Sequence, residues 1–384
     1  MAINFIRDIS EDNFLYSHNN NIVEYYTDNT VDAIIRSDII INGVTVINVY
    51  PSPTLGFFYN LKNVITDLIN KTNYSDDLQT DLSTSYTYDW QKGMYLSAEV
   101  EIRIVFDTFL FDTVTRDLKF ILSAVNQRDY NKRFPYDSGL DKTLLSLPLL
   151  TANNNKYYSR YWQGYPFDIG VYKGIDSIDE ILVDNLTNGL NYSFALASPK
   201  GFERLVFSDG NTSTTIENSL PFLVGFNELK IDTGITDAFL QLEVEKGCPN
   251  GVYIKWLNDR GGYSYWLFKS TNTQRNYTDL GSLIDDNNNL EDTVSPVISL
   301  GKASRDSVNV TDELLREEQK NLISTMIDSP KVYLFTGTPF SQNNFNDWIE
   351  VKVNTSDFAI KNVRSKLYNI NINFTLPANN NIIV

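Results

Sequence analysis

The sequence predicts a mainly β protein, organised as two or three antiparallel β-sandwich-like domains with a few short helices. Three observations predict it. Apolar and polar residues alternate with period two in many separate segments. Aromatic residues make up 13% of the chain, with 23 Tyr and 22 Phe, a composition that suits strands and packed interfaces. Stretches with helical spacing are few. At 384 residues the chain exceeds one ordinary core, and its 42% hydrophobic content is enough to fill more than one.

Each strand follows from its own pattern. Val100, Ile102, Ile104 and Phe106 face one way while Glu99, Glu101 and Arg103 face the other. Ile370, Ile372, Phe374 and Leu376 alternate with Asn369, Asn371, Asn373 and Thr375. Ile349, Val351 and Val353 interleave with Glu350 and Lys352, and Leu240, Leu242 and Val244 with Gln241 and Glu243. Strict alternation means strands with one wet face, which antiparallel sheets allow. Ile39-Ile40-Ile41, Asn42-Gly43 and Val44-Thr45-Val46 predict a hairpin with a type I′ turn, because Asn-Gly tolerates positive φ at both central positions.

Helical spacing is confined to three places. Leu61, Val64, Ile65, Leu68 and Ile69 predict a helix capped by Asn60. Leu118, Ile121, Leu122 and Val125 form a second short stripe. The third helix is expected over 311–328, with Thr311 as cap, Asp312 and Glu313 at its positive end, and Ser329-Pro330 as stop. Glu318 and Gln319 interrupt its apolar stripe, so it is expected to lie on a sheet at one end only. Polar breaks at Asn153-Asn154-Asn155 and at 285–289 place boundaries near 150 and 290. The expected units are therefore 1–150, 151–290 and 291–384, the last an extension of the middle sandwich. The Asn-rich tail 378–384 is expected to be loose.

Charge narrows the function classes. Lys and Arg total 32 against 48 acids, a net charge of −16. A chain this acidic repels phosphate, which disfavours specific nucleic-acid binding. It suits solubility, or a wall past which DNA slides without sticking. Cys248 is the single cysteine, so no intrachain disulfide framework exists. The opening Met-Ala-Ile-Asn-Phe-Ile-Arg lacks a basic region followed by an apolar one, so no signal peptide is expected. No apolar run reaches the roughly 18 residues of a membrane-spanning helix.

No catalytic, cofactor or metal residue is assigned. The single histidine, His18, sits in a polar stretch with nothing to fix it for triad chemistry. Cys248 precedes Pro249-Asn250-Gly251, a turn, and is expected to be a small buried residue. Asp209-Gly210-Asn211 and Asp285-Asp286-Asn287 lack the spacing of a calcium loop and favour turns by themselves. No glycine-rich phosphate loop follows a predicted strand. Paired carboxylates of a glycosidase type are not identifiable among 48 acids.

The most distinctive segment is 247–268. It predicts a β-hairpin with strands 252–257 and 263–268 around a turn at Asn258–Gly262. Gly261 and Gly262 are expected to supply positive φ, and Trp256 and Trp266 to stack across the pair. Two readings follow: a core hairpin covered on both faces, or a sugar-binding platform with Trp256, Trp266 or Tyr263 exposed. Both strands carry apolar residues at nearly every position, which favours the core.

The pattern Tyr253-Ile254-Lys255-Trp256-Leu257-Asn258, Gly261-Gly262, then Tyr265-Trp266-Leu267-Phe268 resembles a hairpin of virion proteins in phages and prophages of Bacteroidota hosts, crAss-like phages among them. The segments Ser329 to Leu334, Trp348 to Val351 and the alternating run ending Leu376-Pro377 are similar too, so the resemblance covers roughly 240–384. It implies a non-catalytic structural subunit of a tail, neck or collar, forming a homo-oligomeric ring or connector. The implied partners are copies of itself, portal, tail tube and fibres, with non-sticking contact to exiting DNA and no membrane. A capsid-decorating protein and a carbohydrate-binding host-recognition module are the alternatives. Closed rings use heterologous contacts between neighbours.

Overall fold

The computed structural model describes residues 3–9, 11, 14–71, 74–82, 85–89, 94–108, 110–124, 143–145, 156–173, 180–196, 201–211, 218–232, 237–247, 251–284, 297–338, 340–341, 344–354 and 367–379. The chain is mainly β, and its larger sheets pack face to face as sandwiches.

The first sandwich is built from residues before 125. One sheet has the order Ile3–Arg7, Ile22–Thr27, Phe57–Asn60. The other runs Phe14–Tyr16, Phe111–Ile121, Tyr95–Phe106, Ile34–Ile41, Val44–Val49. Tyr25 and Phe57 from the first sheet meet Ile102, Ile104 and Phe120 from the second, with helix α1 (Lys62–Asn70) adding Ile65. The alternation at 99–106 is observed as read. Asn42 and Gly43 have φ of 49° and 77°, the signature of the expected type I′ turn. Helix α1 starts at Lys62 with Leu61 in the cap position, and Asn60 Oδ1 accepts from the Lys62 N–H at 3.1 Å.

The second sandwich packs Thr143–Leu144, Pro166–Lys173, Gly201–Asp209 and Thr87–Asp89 against a five-stranded sheet. That sheet has the order Lys156–Trp162, Ala238–Glu245, Gly225–Ile231, Glu180–Asn185, Leu190–Ala195. Thr87–Asp89 precedes the strands at 95–121 in sequence yet completes a sheet of this later sandwich. The third sandwich faces the sheet Tyr263–Phe268, Val252–Leu257, Val332–Phe335, Trp348–Glu350 against the sheet Ser270–Asp279, Lys302–Leu315, Tyr368–Ala378, Lys352–Val353. The alternating run at 349–353 divides between these two sheets: Trp348–Glu350 pairs with one and Lys352–Val353 with the other. Pairing is antiparallel except for Phe14–Tyr16 on Phe111–Ile121 and Lys156–Trp162 on Ala238–Glu245, which are parallel.

Two expected helices are corrected. Residues 118–122 belong to or directly follow a strand, because Leu118 and Phe120 are buried while Asp117 and Lys119 face water, a period-two pattern that outweighs the helical spacing of Leu118, Ile121 and Leu122. Val125 lies outside the described residues. The helix expected over 311–328 is shorter: α2 spans Glu317–Ile327, and Thr311 is a strand residue paired with both Ser270 and Asn371. Strand pairing on both sides outweighs the local capping signal there. Leu314, at φ 57°, breaks the ladder before the helix begins. The boundary signals at 153–155 and 285–289 lie outside the described residues, as does Cys248.

Candidate functional site

The hairpin at 252–268 separates two cores. Strand pairing puts Tyr253, Lys255, Leu257, Tyr263, Tyr265 and Leu267 on one face and Ile254, Trp256, Ser264, Trp266 and Phe268 on the other. The first face packs on the second sandwich; the second closes the third sandwich against Val310, Ile372, Phe374 and α2. Trp256 and Trp266 are both 0% exposed. Register sets Trp256 opposite Ser264 and Trp266 opposite Ile254, so the two indoles are diagonal neighbours and the expected direct stacking does not occur.

Asn258 organises the turn. Its side-chain oxygen accepts from the Arg260 and Gly262 N–H groups, each at 3.0 Å, and its amide donates to the Leu145 carbonyl at 2.9 Å and to Ser264 Oγ at 3.0 Å. Gly261 has φ +82°, as expected. Gly262 does not share it, which corrects the expectation of a positive φ at both. Its requirement is space: a Cβ there would sit 1.9 Å from the Leu145 carbonyl oxygen.

Beneath the first face lies a buried quartet of charges. Arg204 donates to Asp76 Oδ1 at 2.8 Å and to Asp168 Oδ2 at 2.6 Å, while Lys255 Nζ donates to Asp76 Oδ2 at 2.5 Å. The Tyr265 hydroxyl adds a bond to Asp168 at 2.5 Å, and Tyr74 and Tyr263 bond each other at 2.7 Å. The Lys255 ammonium lies 4.4 Å from the Trp348 ring centroid and 5.2 Å from that of Tyr263. Two acids and two cations leave the cluster neutral, which is the condition for burying charge without a prohibitive penalty. Burial alone pushes the Asp76 carboxyl up, but the Arg204 and Lys255 cations outweigh it and hold it well below the ordinary carboxylate range.

A second network closes the other face. Arg160 stacks over Trp266 with Cζ 4.1 Å from the ring centroid, and pairs with Asp312 at 3.2 Å and Glu245 at 2.8 Å. Trp266 Nε1 donates to the same Asp312 Oδ2 at 3.0 Å. Gln319 of α2 donates to Glu243 Oε2 at 2.7 Å, and Tyr158 bonds the same carboxylate. Gln319 is thus buried because it is bonded, so the residue read as interrupting the helix's apolar stripe helps to seat the helix.

Both networks join residues far apart in sequence, and no motif marked them. One signal was present: Arg160, Asp168 and Lys255 are lone charges inside the aromatic or aliphatic runs Tyr-Tyr-Ser-Arg-Tyr-Trp, Tyr-Pro-Phe-Asp-Ile and Tyr-Ile-Lys-Trp-Leu, and Arg204 shares the run Phe-Glu-Arg-Leu-Val-Phe with Glu203. A charge in a strand covered on both faces must find a buried partner.

The remaining candidates sit elsewhere. His18 Nδ1 is 2.8 Å from Ser17 Oγ in the turn after Phe14–Tyr16, and burial followed by the nearby Lys62 charge lowers its pKa. Asp209 Oδ1 accepts from the Asn211 N–H at 2.8 Å, the expected turn; Asp285-Asp286-Asn287 lies outside the described residues. Among the described residues no cluster of three or more His, Cys, Asp or Glu side chains forms a metal site, and no helix is long and apolar enough to cross a membrane.

No protein-family model and no curated protein matches the chain. Solved structures with partial likeness include fibronectin(III)-like modules of CbhA from Clostridium thermocellum, at 7% identity over 64% of this chain and 94% of theirs, with a TM-score of 0.20. A chimeric titin Z1Z2 tandem gives 9% identity over 63% of this chain and 99% of its own, with a TM-score of 0.16. The four N-terminal Ig domains of Dscam1 isoform 8.4 give 8% over 81% and 69%, with a TM-score of 0.16. At these scores the likeness carries no argument about what this chain does.

Proposed function

We propose that this chain is a non-catalytic structural subunit of a bacteriophage virion, a ring or connector component of the tail or neck that acts by assembly with its own copies and with portal, tail tube and fibres. The observation that supports this reading is the use made of the hairpin. The segment that carries the resemblance to virion proteins is an internal wedge whose chemically capable neighbours, Asp76, Asp168, Arg204 and Lys255, are all buried and paired with one another. Such an arrangement stiffens a body and offers nothing to a substrate. Its function then rests on its outer surface. A sugar platform on this hairpin would need exposed rings, whereas Trp256, Trp266 and Tyr263 are buried. The capsid-decorating alternative differs only in where the subunit sits.

The test is protein mass spectrometry of purified virions combined with cryo-EM of the same particles. The reading expects this chain in a fixed copy number matching a ring at the neck or tail. Particles that lack the chain, from a host that expresses it, would overturn the reading.

A further inference from the structure

The strand Ser270–Asp279 pairs without a bulge on Lys302–Leu315, and the ladder continues past its end. The Leu280 N–H donates to the Gly301 carbonyl and the Leu300 N–H to the Gly281 carbonyl, and Ser282–Ile284 pairs with Val297–Ser299. The neighbouring strand Tyr368–Ala378 stops opposite Arg305. Beyond it, among the described residues, the ladder is two strands wide. A two-stranded ribbon is marginal in water. This one also exposes Tyr277, Leu283 and Ile284, the last at 74%. Lone apolar side chains on a surface need no account; several on a projecting ribbon do.

A matching feature lies at the other end of the sequence. An open hollow of about 610 Å³ is lined only by residues from 6 to 58, beside the edge strand Phe57–Asn60. Ile6, Tyr50, Leu55 and Phe58 line it, and each is more than half exposed. Leu55 is held at φ 62°, a conformation that a bulky side chain adopts only at a cost, with its side chain toward solvent. The turn that holds it is closed by the Leu55 N–H on the Ser52 carbonyl and the Ser52 N–H on the Gly56 carbonyl, both at 2.8 Å, so Leu55 stands at a fixed place on the rim.

We propose that the ribbon of one copy docks into the hollow of a neighbouring copy. The proposal rests on the assembly reading above and names its contact. Both halves of the interface are carried by this chain, at separate sites, so the contact is head-to-tail and builds a ring when the rotation between neighbours closes. Tyr50, Phe58 and Tyr277 are each between half and three-quarters exposed, so each has roughly 100–150 Å² left to bury out of the 150–250 Å² of a whole ring. With Ile6, Leu55, Leu283 and Ile284 beside them they supply about half of the roughly 1,600 Å² of a standard interface. The −16 charge opposes the approach of two copies, so association strengthens as salt screens it. A basic partner in the hollow would show the opposite salt dependence.

The experiment uses full-length chains carrying Leu283→Ser with Ile284→Asp on the ribbon, or Tyr50→Ser with Phe58→Ser in the hollow. All four positions are exposed, and thermal melts check that each variant stays folded. Sedimentation velocity and native mass spectrometry across a concentration series should show wild type assembling and each variant alone remaining monomeric. A mixture of the two variants should give a one-to-one dimer that grows no further, because one intact ribbon meets one intact hollow. Wild type that remains monomeric throughout, variants that assemble like wild type, or a mixture that gives no dimer would each overturn the ribbon contact. Virions that contain a ring of chains assembled normally from ribbon variants would overturn this contact and leave the structural role standing.

Discussion

Two hairpins lie side by side in this sequence with only Lys269 between them, and they meet opposite fates. Val252–Phe268 is buried on both faces; in the next, the strand Ser270–Asp279 is exposed at nearly every position, while its partner Lys302–Leu315 buries Val308, Val310 and Leu315 in the third sandwich. Both are antiparallel and regular, so backbone geometry does not distinguish them. Side-chain chemistry does. The inner hairpin reads Val-Tyr-Ile-Lys-Trp-Leu and Tyr-Ser-Tyr-Trp-Leu-Phe, and the outer begins Ser-Thr-Asn-Thr-Gln-Arg-Asn. The first gains by removing large rings from water on both sides, about 25 cal/mol per Å². The second has little to gain until its apolar end finds a cover.

The largest effects are expected where the inner hairpin depends on its charges. Asp76→Asn leaves Arg204 and Lys255 with Asp168 as the remaining acid of the quartet. Breaking a buried pair in this way costs about 3–5 kcal/mol, to be read as a lowered denaturation midpoint in urea. Trp266→Ala removes a fully buried ring and the indole donor to Asp312, with an expected loss of about 3–5 kcal/mol. A ribbon substitution with an equal loss would erase the contrast between the hairpins.

Acid should reveal the same dependence. The folded Asp76 carboxyl titrates below its ordinary value of 3.8, so its contribution is fully present above that pH and is lost as pH falls through the folded value. Melts from pH 6 to about pH 2 should therefore fall less steeply below about pH 4 in Asp76→Asn than in wild type, because the variant has no such carboxylate to protonate. Parallel curves would mean that the quartet is not ionised as described.

Smaller effects are expected at the glycine pair of the inner turn. Gly261→Ala meets the left-handed penalty of about 1–2 kcal/mol, and its Cβ would press on Ile121 at 2.7 Å. Gly262→Ala drives a Cβ into the Leu145 carbonyl and should cost more than Gly261→Ala in the same melt. The reverse order would mean that φ, not space, governs the turn. At the far end of the scale, Tyr277→Ser on the ribbon should change the stability of the unassembled chain by no more than about 0.5 kcal/mol.

How much of this was legible depended on whether the signal was local. The type I′ turn at Asn42-Gly43 and the strands at 99–106 and 369–376 were, since adjacent residues carry the whole pattern. The hairpin's double burial was legible too, from the absence of any polar face. The start of α2 was not: Thr311-Asp312-Glu313 is a sound capping sequence, overridden by Ser270 and Asn371 pairing across it. The charge quartet was hidden for the same reason. Asp76 reaches Lys255 across 179 positions, and only the charges at Asp168, Arg204 and Lys255 inside otherwise apolar strands pointed to a partner.

On this proposal the inner hairpin is the fixed body and the outer ribbon is the contact made on assembly. Hydrogen exchange followed by mass spectrometry on dilute chain and on assembled particles tests it directly. Amides at 252–268 should exchange only with global unfolding and equally slowly in both samples. Amides at 278–284 should exchange fast in the dilute chain and become protected in the particle. Ribbon amides that exchange equally fast in both samples, or hairpin amides that open ahead of the ribbon, would contradict the account.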